Sequence, residues 1–564
     1  MKFKEFYKNF LKISEPYSHQ EQVWKIFENW EKFNFPLLVK APTGSGKTEA
    51  LIAPFLNQFL ENNFFAPRLI YVLPMRVLAD SIAKRIEGYA KKVSPYISVQ
   101  IQHGDTPNSP FFIDDIIVTT LDQFLYGFAR TSKQVGKHID LPAGSIASSI
   151  VVFDEAHMYR DEFTFSIMRA IMEILYQSKI PFILMTATMP QTLEKSLFEN
   201  IPLDTKQKIF GEVPFYTTVN IKIEKKPLVI ENGELNIPDS IFKLIKKHKT
   251  LIVLNQVKKA QKVYEEIKKR LKLNNDQIVL LHSRFTRLER RAHEYKALSL
   301  LPQKKNGEIK VPKGVGVVVS TQVLEAGIDF SAELLLTELA PADSLIQRAG
   351  RCARYNGEKG EMIIFPVEDD KGHLPYEKES LTKTLEWLKR NRNFNIRDFN
   401  QVVTFVDETL DYQANDYEAN DTLIDLYECV LYADSEPKNI QLRKNKSAKV
   451  IVVEPKIGEK KRENKETQLE NGIKEILKNN RLGDYAFEVD IKVLWGWYKD
   501  GLIRYELKWE EKEKEKYQPK VVAIKEKVNE KEEEQNISPF KTYILESSLY
   551  NSEKGVDKDA PIYI

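Results

Sequence analysis

The octapeptide Ala41-Pro42-Thr43-Gly44-Ser45-Gly46-Lys47-Thr48 closes the apolar run Leu37–Lys40 and leads into a stretch predicted to be helical from about Glu49. A strand, a glycine-bearing loop and a helix in that order make a phosphate cradle. The glycines let backbone N–H groups turn inward, Lys47 reaches the β/γ-phosphates, and the Thr48 hydroxyl can ligate Mg²⁺. Ala41 stands where the usual pattern has its first glycine. Thr43, Gly44, Ser45, Gly46, Lys47 and Thr48 are therefore candidate nucleotide contacts, and they require the C-terminal end of a buried parallel strand.

The surrounding sequence supplies such a sheet. Short apolar runs at 37–40, 69–73, 116–119, 150–153 and 182–185 alternate with helix-like stretches, and the rhythm resumes at 251–254, 278–281, 315–320, 334–336 and 362–365. That is the signature of βαβ units on sheets covered on both faces, so the fold class is α/β with two such domains in tandem. The expected division is 1–215 and 216–366 for these domains, 367–439 for a linker helix (376–391) and acidic connector, and 440–564 for a smaller C-terminal α+β domain. Residues 492–498 and 503–508 read as β-like there, and the charged run 510–516 as a solvated helix face or loop.

At 564 residues, 42% hydrophobic and 29% charged, the chain has the composition of a folded multidomain protein rather than a disordered or fibrous one. A net charge of +3 neither requires nor excludes nucleic acid. The two cysteines, Cys352 and Cys429, are too few for a disulfide framework or a zinc knuckle and fit a reducing compartment. No run approaches about 18 uninterrupted apolar residues and the N-terminus lacks a signal-peptide core, so the expectation is a cytoplasmic protein that does not span a membrane.

The run at 150–153 ends in Asp154-Glu155-Ala156-His157, where a carboxylate can meet the P-loop magnesium. Asp154 is placed to hold Mg²⁺ through water. Glu155 is suited to orient and deprotonate an attacking water, and His157 to couple the site to its surroundings rather than only cap a helix. Gln347-Arg348-Ala349-Gly350-Arg351-Cys352-Ala353-Arg354 adds three closely spaced arginines in the second domain. Arg351 and Arg354 are the arginine-finger candidates, and Arg348 the candidate for a structural ion pair. With fingers and P-loop on different domains, hydrolysis is expected to require closure, which converts ATP turnover into domain motion.

In this order the blocks resemble a superfamily 2 helicase of the DEAH type over about residues 16–366. The resemblance implies two RecA-like domains using ATP and Mg²⁺. Pro16-Tyr17-Ser18-His19-Gln20 resembles the Q motif, in which Gln20 would read the adenine edge. Residues 74–78 and 119–123 resemble motifs Ia and Ib, and Thr186-Ala187-Thr188 resembles motif III, giving Thr186 and Thr188 a coupling role. Residues 320–329 resemble motif V, with Gly327 and Asp329 as implied nucleotide contacts, and 347–354 resemble motif VI, adding Gln347 to the catalytic set of Lys47, Glu155, Arg351 and Arg354. Arg76, Thr119, Thr120, Ser283, Arg284 and Thr321 hold the motif positions expected to contact a nucleic-acid backbone. Trp495, Trp497 and Tyr498 offer stacking faces, but such a stripe more often fills a small domain core.

Lys137-His138 followed by Leu141, the Asp154–Tyr159 block and the Thr-Gln-Val-x-Glu start of motif V are similar to the CRISPR-associated helicase of type I interference systems. Pro375-Tyr376 followed by Leu381 and Thr382 is similar to that family's segment after the second RecA-like domain. Motif V departs by continuing Ala-Gly-Ile-Asp, and motif VI lacks the usual His after its last arginine. None of the eight histidines is followed by Asp, and the Q-like motif starts at Pro16, so no HD nuclease is expected in this chain. The resemblance implies the helicase half of a split enzyme, a 3′-to-5′ translocase on single-stranded DNA. Its implied partners are a separate HD-domain nuclease and a crRNA-guided surveillance complex (Cascade). The alternatives are a DEAH-type RNA or DNA-repair helicase outside CRISPR and an ATP-gated scaffold that clamps nucleic acid.

Overall fold

The computed structural model describes residues 1–42, 44–104, 106–159, 162–211, 217–229, 234–305, 308–325, 329–368, 372–410, 424, 428, 430, 447–457, 463–512, 516–524, 537–539 and 541–556. The chain forms two compact units. The first comprises Met1–Tyr216, Pro341–Gln347 and Lys383–Lys444, and the second Thr217–Ala340, Arg348–Thr382 and Asn445–Ile564.

The first unit contains the strands β1 (Leu37–Lys40), β2 (Arg68–Leu73), β3 (Val99–His103), β4 (Thr106–Pro107), β5 (Ile116–Thr120), β6 (Ser149–Phe153), β7 (Phe182–Thr186) and β8 (Lys208–Phe210). They form one sheet in the order β4-β3-β5-β2-β6-β7-β1-β8, parallel except for the β3–β4 pair. Every residue of β1, β5, β6 and β7 is buried, as expected of apolar strands with helices on both faces. The parallel pairing brings the C-terminal ends of β1, β7 and β6 side by side, which places the P-loop, Thr186 and Asp154 along one edge.

The second unit contains β9 (Thr218–Ile223), β10 (Thr250–Val253), β11 (Ile278–Leu281), the hairpin β12 (Gln303–Lys305) and β13 (Glu308–Lys310), then β14 (Val317–Ser320), β15 (Leu334–Glu338) and β16 (Lys359–Phe365). Apart from the hairpin these make an all-parallel sheet in the order β11-β14-β10-β15-β16-β9. Near the chain end, β17 (Ser447–Val453), β18 (Ala486–Asp490), β19 (Tyr505–Lys512), β20 (Lys516–Ala523) and β21 (Thr542–Glu546) form a mixed sheet, followed by the small hairpin β22 (Tyr550–Asn551) and β23 (Gly555–Val556).

Two expectations are corrected here. Residues expected to be β-like at 492–498 lie in the helix Ile491–Lys499. Asp490 caps it by accepting from the Lys492 N–H at 2.8 Å, and the buried Val493, Leu494 and Trp497 fall on one helical face. Trp497 is fully buried in a core shared with residues of β17 and β21, which favours the core reading of that aromatic stripe. Of the charged run 510–516, residues 510–512 lie in β19 and Lys516 in β20 and not on a helix face, with Glu510 opposite Gln518 and Lys512 opposite Lys516, while 513–515 lie outside the described residues. Among the described residues, no helix is long and apolar enough to cross a membrane. The expected linker helix runs over Lys378–Arg390, and the acidic connector falls largely outside the described residues.

Candidate active site

The P-loop turns through Gly44 (φ +82°) and Gly46 (φ +75°), a left-handed backbone that glycine adopts without steric cost, and the helix Lys47–Glu61 starts at once. The first N–H groups of that helix have no acceptor within it. Lys47 is buried, and its Nζ donates to Ala41 O (3.0 Å) and Pro42 O (3.3 Å), so the ammonium sits inside the loop it is expected to serve. Ser45 Oγ is buried with no hydrogen-bond partner among the described residues. A buried orphan hydroxyl, a lysine and helix-terminal N–H groups form a donor set that fits polyphosphate. Thr43 lies outside the described residues.

The two halves of the expected metal site meet through a residue that the sequence pattern does not single out. Tyr71, fully buried on β2, donates to Asp154 Oδ2 at 2.6 Å, and its hydroxyl also lies 3.2 Å from Thr48 Oγ1. Burial and the adjacent Asp154 carboxylate hold its phenol well above the usual range, so it stays protonated and donates. Asp154 also accepts from the Glu155 N–H at 2.8 Å. Burial, followed by repulsion from Glu155, pushes its carboxyl up to about 6. A hydroxyl and a carboxylate that both meet the Tyr71 hydroxyl are oxygen ligands of the kind Mg²⁺ takes. Glu155 itself has φ +52°, a strained setting for a non-glycine residue that recurs at functional positions.

A second layer surrounds the start of the P-loop helix. Arg85 Nη2 donates to Thr48 Oγ1 at 2.6 Å, while its Nε lies 3.4 Å from Glu49 Oε1. Tyr89 OH donates to the same Glu49 oxygen at 3.1 Å, and Tyr7 OH to the Glu49 carbonyl at 3.0 Å. Tyr71 is detectable in principle as the one aromatic polar group in the otherwise aliphatic run Leu-Ile-Tyr-Val-Leu. Arg85 lies too far along its helix to carry any local signal.

Gln20 is buried, accepts from the Tyr17 N–H at 2.9 Å and donates to Gly46 O at 3.0 Å. The expected adenine-reading amide is thus also a brace on the P-loop. His19 stacks on Tyr17 with ring centroids 5.7 Å apart. Burial, together with Lys47, lowers its pKa to about 4, so the ring is neutral.

The motif III turn is tied directly to the P-loop strand. Thr186 Oγ1 donates to Thr188 O (2.9 Å), Ala41 N–H donates to Thr186 O (3.1 Å), and Lys40 Nζ reaches Met189 O (3.4 Å) while pairing with Glu194. The side chain of His157 lies outside the described residues.

In the second unit, Arg348 is fully buried and all five of its N–H groups are matched. They donate to Glu325 Oε1 (2.9 Å), Thr337 Oγ1 (2.8 Å), Glu338 O (3.0 Å), Asn255 Oδ1 (3.1 Å) and Tyr376 OH (3.0 Å). It is the structural ion pair expected from the sequence. Arg351 is buried and donates to Leu324 O (3.2 Å) and Glu325 O (3.0 Å). Arg354 Nε pairs with Asp329 Oδ1 at 2.6 Å, joining the expected finger to the expected motif V carboxylate. Gln347 is buried on the helix Ala342–Ala349, and Gly327 lies outside the described residues.

Of the expected strand contacts, Ser283 is exposed, and Arg76 and Arg284 are half-buried. Thr119, Thr120 and Thr321 are buried. The Thr119 hydroxyl donates to Gln102 O at 2.7 Å, which ties it to β3. The Arg284 guanidinium lies over the Trp497 ring, 5.5 Å from its centroid.

Two family descriptions match the chain: DEAD/DEAH box helicase over residues 17–196, and the C-terminal part of CRISPR-associated nuclease/helicase Cas3 over residues 246–357. The CRISPR-associated helicase Cas3 of Thermoproteus tenax is 31% identical over 382 residues, covering 65% of this chain and 61% of that protein. The chain spans about three fifths of the length of the first curated relatives. The crystal structure of T. fusca Cas3 with ATP has a TM-score of 0.65 at 19% identity, over 88% of this chain and 66% of that one. A chain of a CRISPR RNA-guided surveillance complex in its pre-nicking state has a TM-score of 0.59 at 18% identity, over 96% of this chain and 70% of that one. These structural likenesses establish the fold, two tandem RecA-like domains with a C-terminal domain.

Proposed function

We propose, from its similarity to the Cas3-type superfamily 2 helicases, that the chain hydrolyses ATP to move 3′ to 5′ along single-stranded DNA in type I CRISPR interference. It would open target DNA for an HD nuclease carried on a separate polypeptide, recruited with it to a crRNA-guided surveillance complex.

The observation that carries this reading is the continuous bonding from Lys47 and Thr48 through Tyr71 to Asp154 and Glu155, joined through Ala41 and Lys40 to the motif III turn. Lys47 and the helix N-terminus bind the phosphates. Thr48 and Asp154 would hold Mg²⁺, which supplies neutralising charge to the phosphoryl oxygens when bound. Glu155 orients the attacking water and takes its proton, while Arg351 and Arg354 supply cationic charge to the transition state. Since Thr186 accepts from the strand end that carries the P-loop, a change of phosphate occupancy reaches motif III through two hydrogen bonds. That is a physical route from hydrolysis to strand grip.

ATPase measured without nucleic acid, with single-stranded DNA and with single-stranded RNA tests the substrate class. DNA should stimulate, and stimulation by RNA alone would move the chain to the RNA helicases. Streptavidin should be displaced from a 3′-biotinylated strand only if translocation runs 5′ to 3′; the proposed polarity requires displacement from the 5′ end. The purified chain should not cut DNA with Mn²⁺, Co²⁺ or Ni²⁺, and metal-dependent cleavage that survives exhaustive purification would refute the split-enzyme reading.

A further inference from the structure

The hairpin of β22 and β23 is built to hold one backbone carbonyl outward. Asn551 Oδ1 accepts from the N–H groups of Glu553 (2.8 Å) and Lys554 (3.1 Å), which closes the turn, and Gly555 continues it at φ +77°. The Lys554 carbonyl so presented accepts from His282 Nε2 (2.9 Å) and Gln261 Nε2 (2.7 Å). His282 Nδ1 accepts the Arg284 N–H at 3.1 Å, so the ring proton resides on Nε2. Burial pushes the His282 pKa down to about 3, which keeps this relay neutral and fixes its tautomer.

The same hairpin and the domain that carries it hold nearly every residue of the segment 282–286. Tyr550 OH accepts from the Thr286 N–H at 2.8 Å and donates to Glu289. Trp497 lies beneath the Arg284 guanidinium, and Phe285 stacks on His282 with centroids 4.2 Å apart. A Cβ at Gly555 would stand 2.7 Å from His282 Cε1 and 2.8 Å from Arg284 O, so the hairpin backbone packs directly against the loop. Lys268 with Glu553 and Lys554 with Glu265, each at 2.7 Å, are surface pairs that add register more than energy. Ser283 is the exposed tip of a loop otherwise fixed from below.

We propose that the hairpin Tyr550–Val556 sets the strand-contacting shape of the loop 282–286, so that affinity for a single-stranded nucleic-acid backbone is governed in part from the far end of the chain. This rests on the reading of Ser283 and Arg284 as strand contacts. Tyr550 and Gly555 are then positioning residues, acting through His282 and Thr286.

The test uses the full chain with Tyr550→Phe, Gly555→Ala and Ser283→Glu, a fluorescein-labelled oligo(dT) read by anisotropy over a salt series, DNA-free ATPase and thermal melting. Both hairpin variants should weaken oligo(dT) binding about fivefold or more, the scale of one hydrogen bond, with DNA-free ATPase unchanged. The dependence of log Kd on log salt should also become shallower by about 0.7 for each phosphate that the loop ceases to neutralise. A brace that only stabilises the fold would lower the melting temperature and leave Kd and salt slope alone, and that result overturns the proposal. Ser283→Glu separates the two levels. If it weakens binding while the hairpin variants do not, the strand-contact reading stands and the positioning role falls; if it has no effect, both fall.

Discussion

Glu155→Gln is expected to bind ATP as the native chain does and to hydrolyse it at least about 10²-fold more slowly, the scale set by loss of a general base. The substitution is isosteric, so the Glu155 N–H that donates to Asp154 at 2.8 Å and the strained φ of +52° are retained while the proton acceptor is removed. Lys47→Ala should differ in kind. It takes away the ammonium inside the loop and releases the carbonyls of Ala41 and Pro42, so ATP affinity and turnover fall together. Equilibrium binding of a fluorescent ATP analogue alongside phosphate release distinguishes the two outcomes. Wild-type hydrolysis by either variant means that the nucleotide site has been misassigned.

Three residues apart in motif VI, Arg348 and Arg351 should fail in opposite ways. Arg348→Ala leaves the Glu325 carboxylate, 7% exposed, without its cation and strands the acceptors on Thr337, Glu338 and Asn255. Breaking such a buried pair costs about 3–5 kcal/mol, enough to lower the melting temperature of the second unit by roughly 10 °C. Arg351→Ala removes hydrogen bonds to the carbonyls of Leu324 and Glu325, which are neutral acceptors, so the fold should persist. Its expected loss is catalytic, about 10³-fold or more in hydrolysis with ATP and DNA binding kept, because a finger acts on charge that develops only in the transition state. An Arg351→Ala chain that turns over normally, or an Arg348→Ala chain that melts like wild type, would reverse these assignments.

The parts of the chain that are legible in the sequence are those where chemistry is local. Strands β1, β5, β6 and β7 are buried on both faces, so unbroken apolar runs mark them to within a residue or two. The P-loop and the Asp154-Glu155 pair are contiguous because each combines a strand end with the turn that follows. Strands β3, β8 and β9 lie toward or at sheet edges, where fewer positions are buried and the pattern fades. The helix Ile491–Lys499 reads as a strand because its run of β-formers and aromatics matches one until Asp490 is seen to cap it and Trp497 to turn into the core.

The sequence alone was enough for the α/β class and for an ion pair at Arg348, and it put the candidate phosphate-binding and carboxylate residues at strand ends. The tertiary structure alone decided the partners. Tyr71 meets Asp154 across 83 residues of chain and Thr48 across 23, Arg348 gathers acceptors from four separate segments, and the Lys554 carbonyl meets His282 across 272 residues. Such contacts carry no local periodicity, since they depend on which strand ends and loops the sheet order sets side by side, and on burial that makes a single unpaired polar group costly.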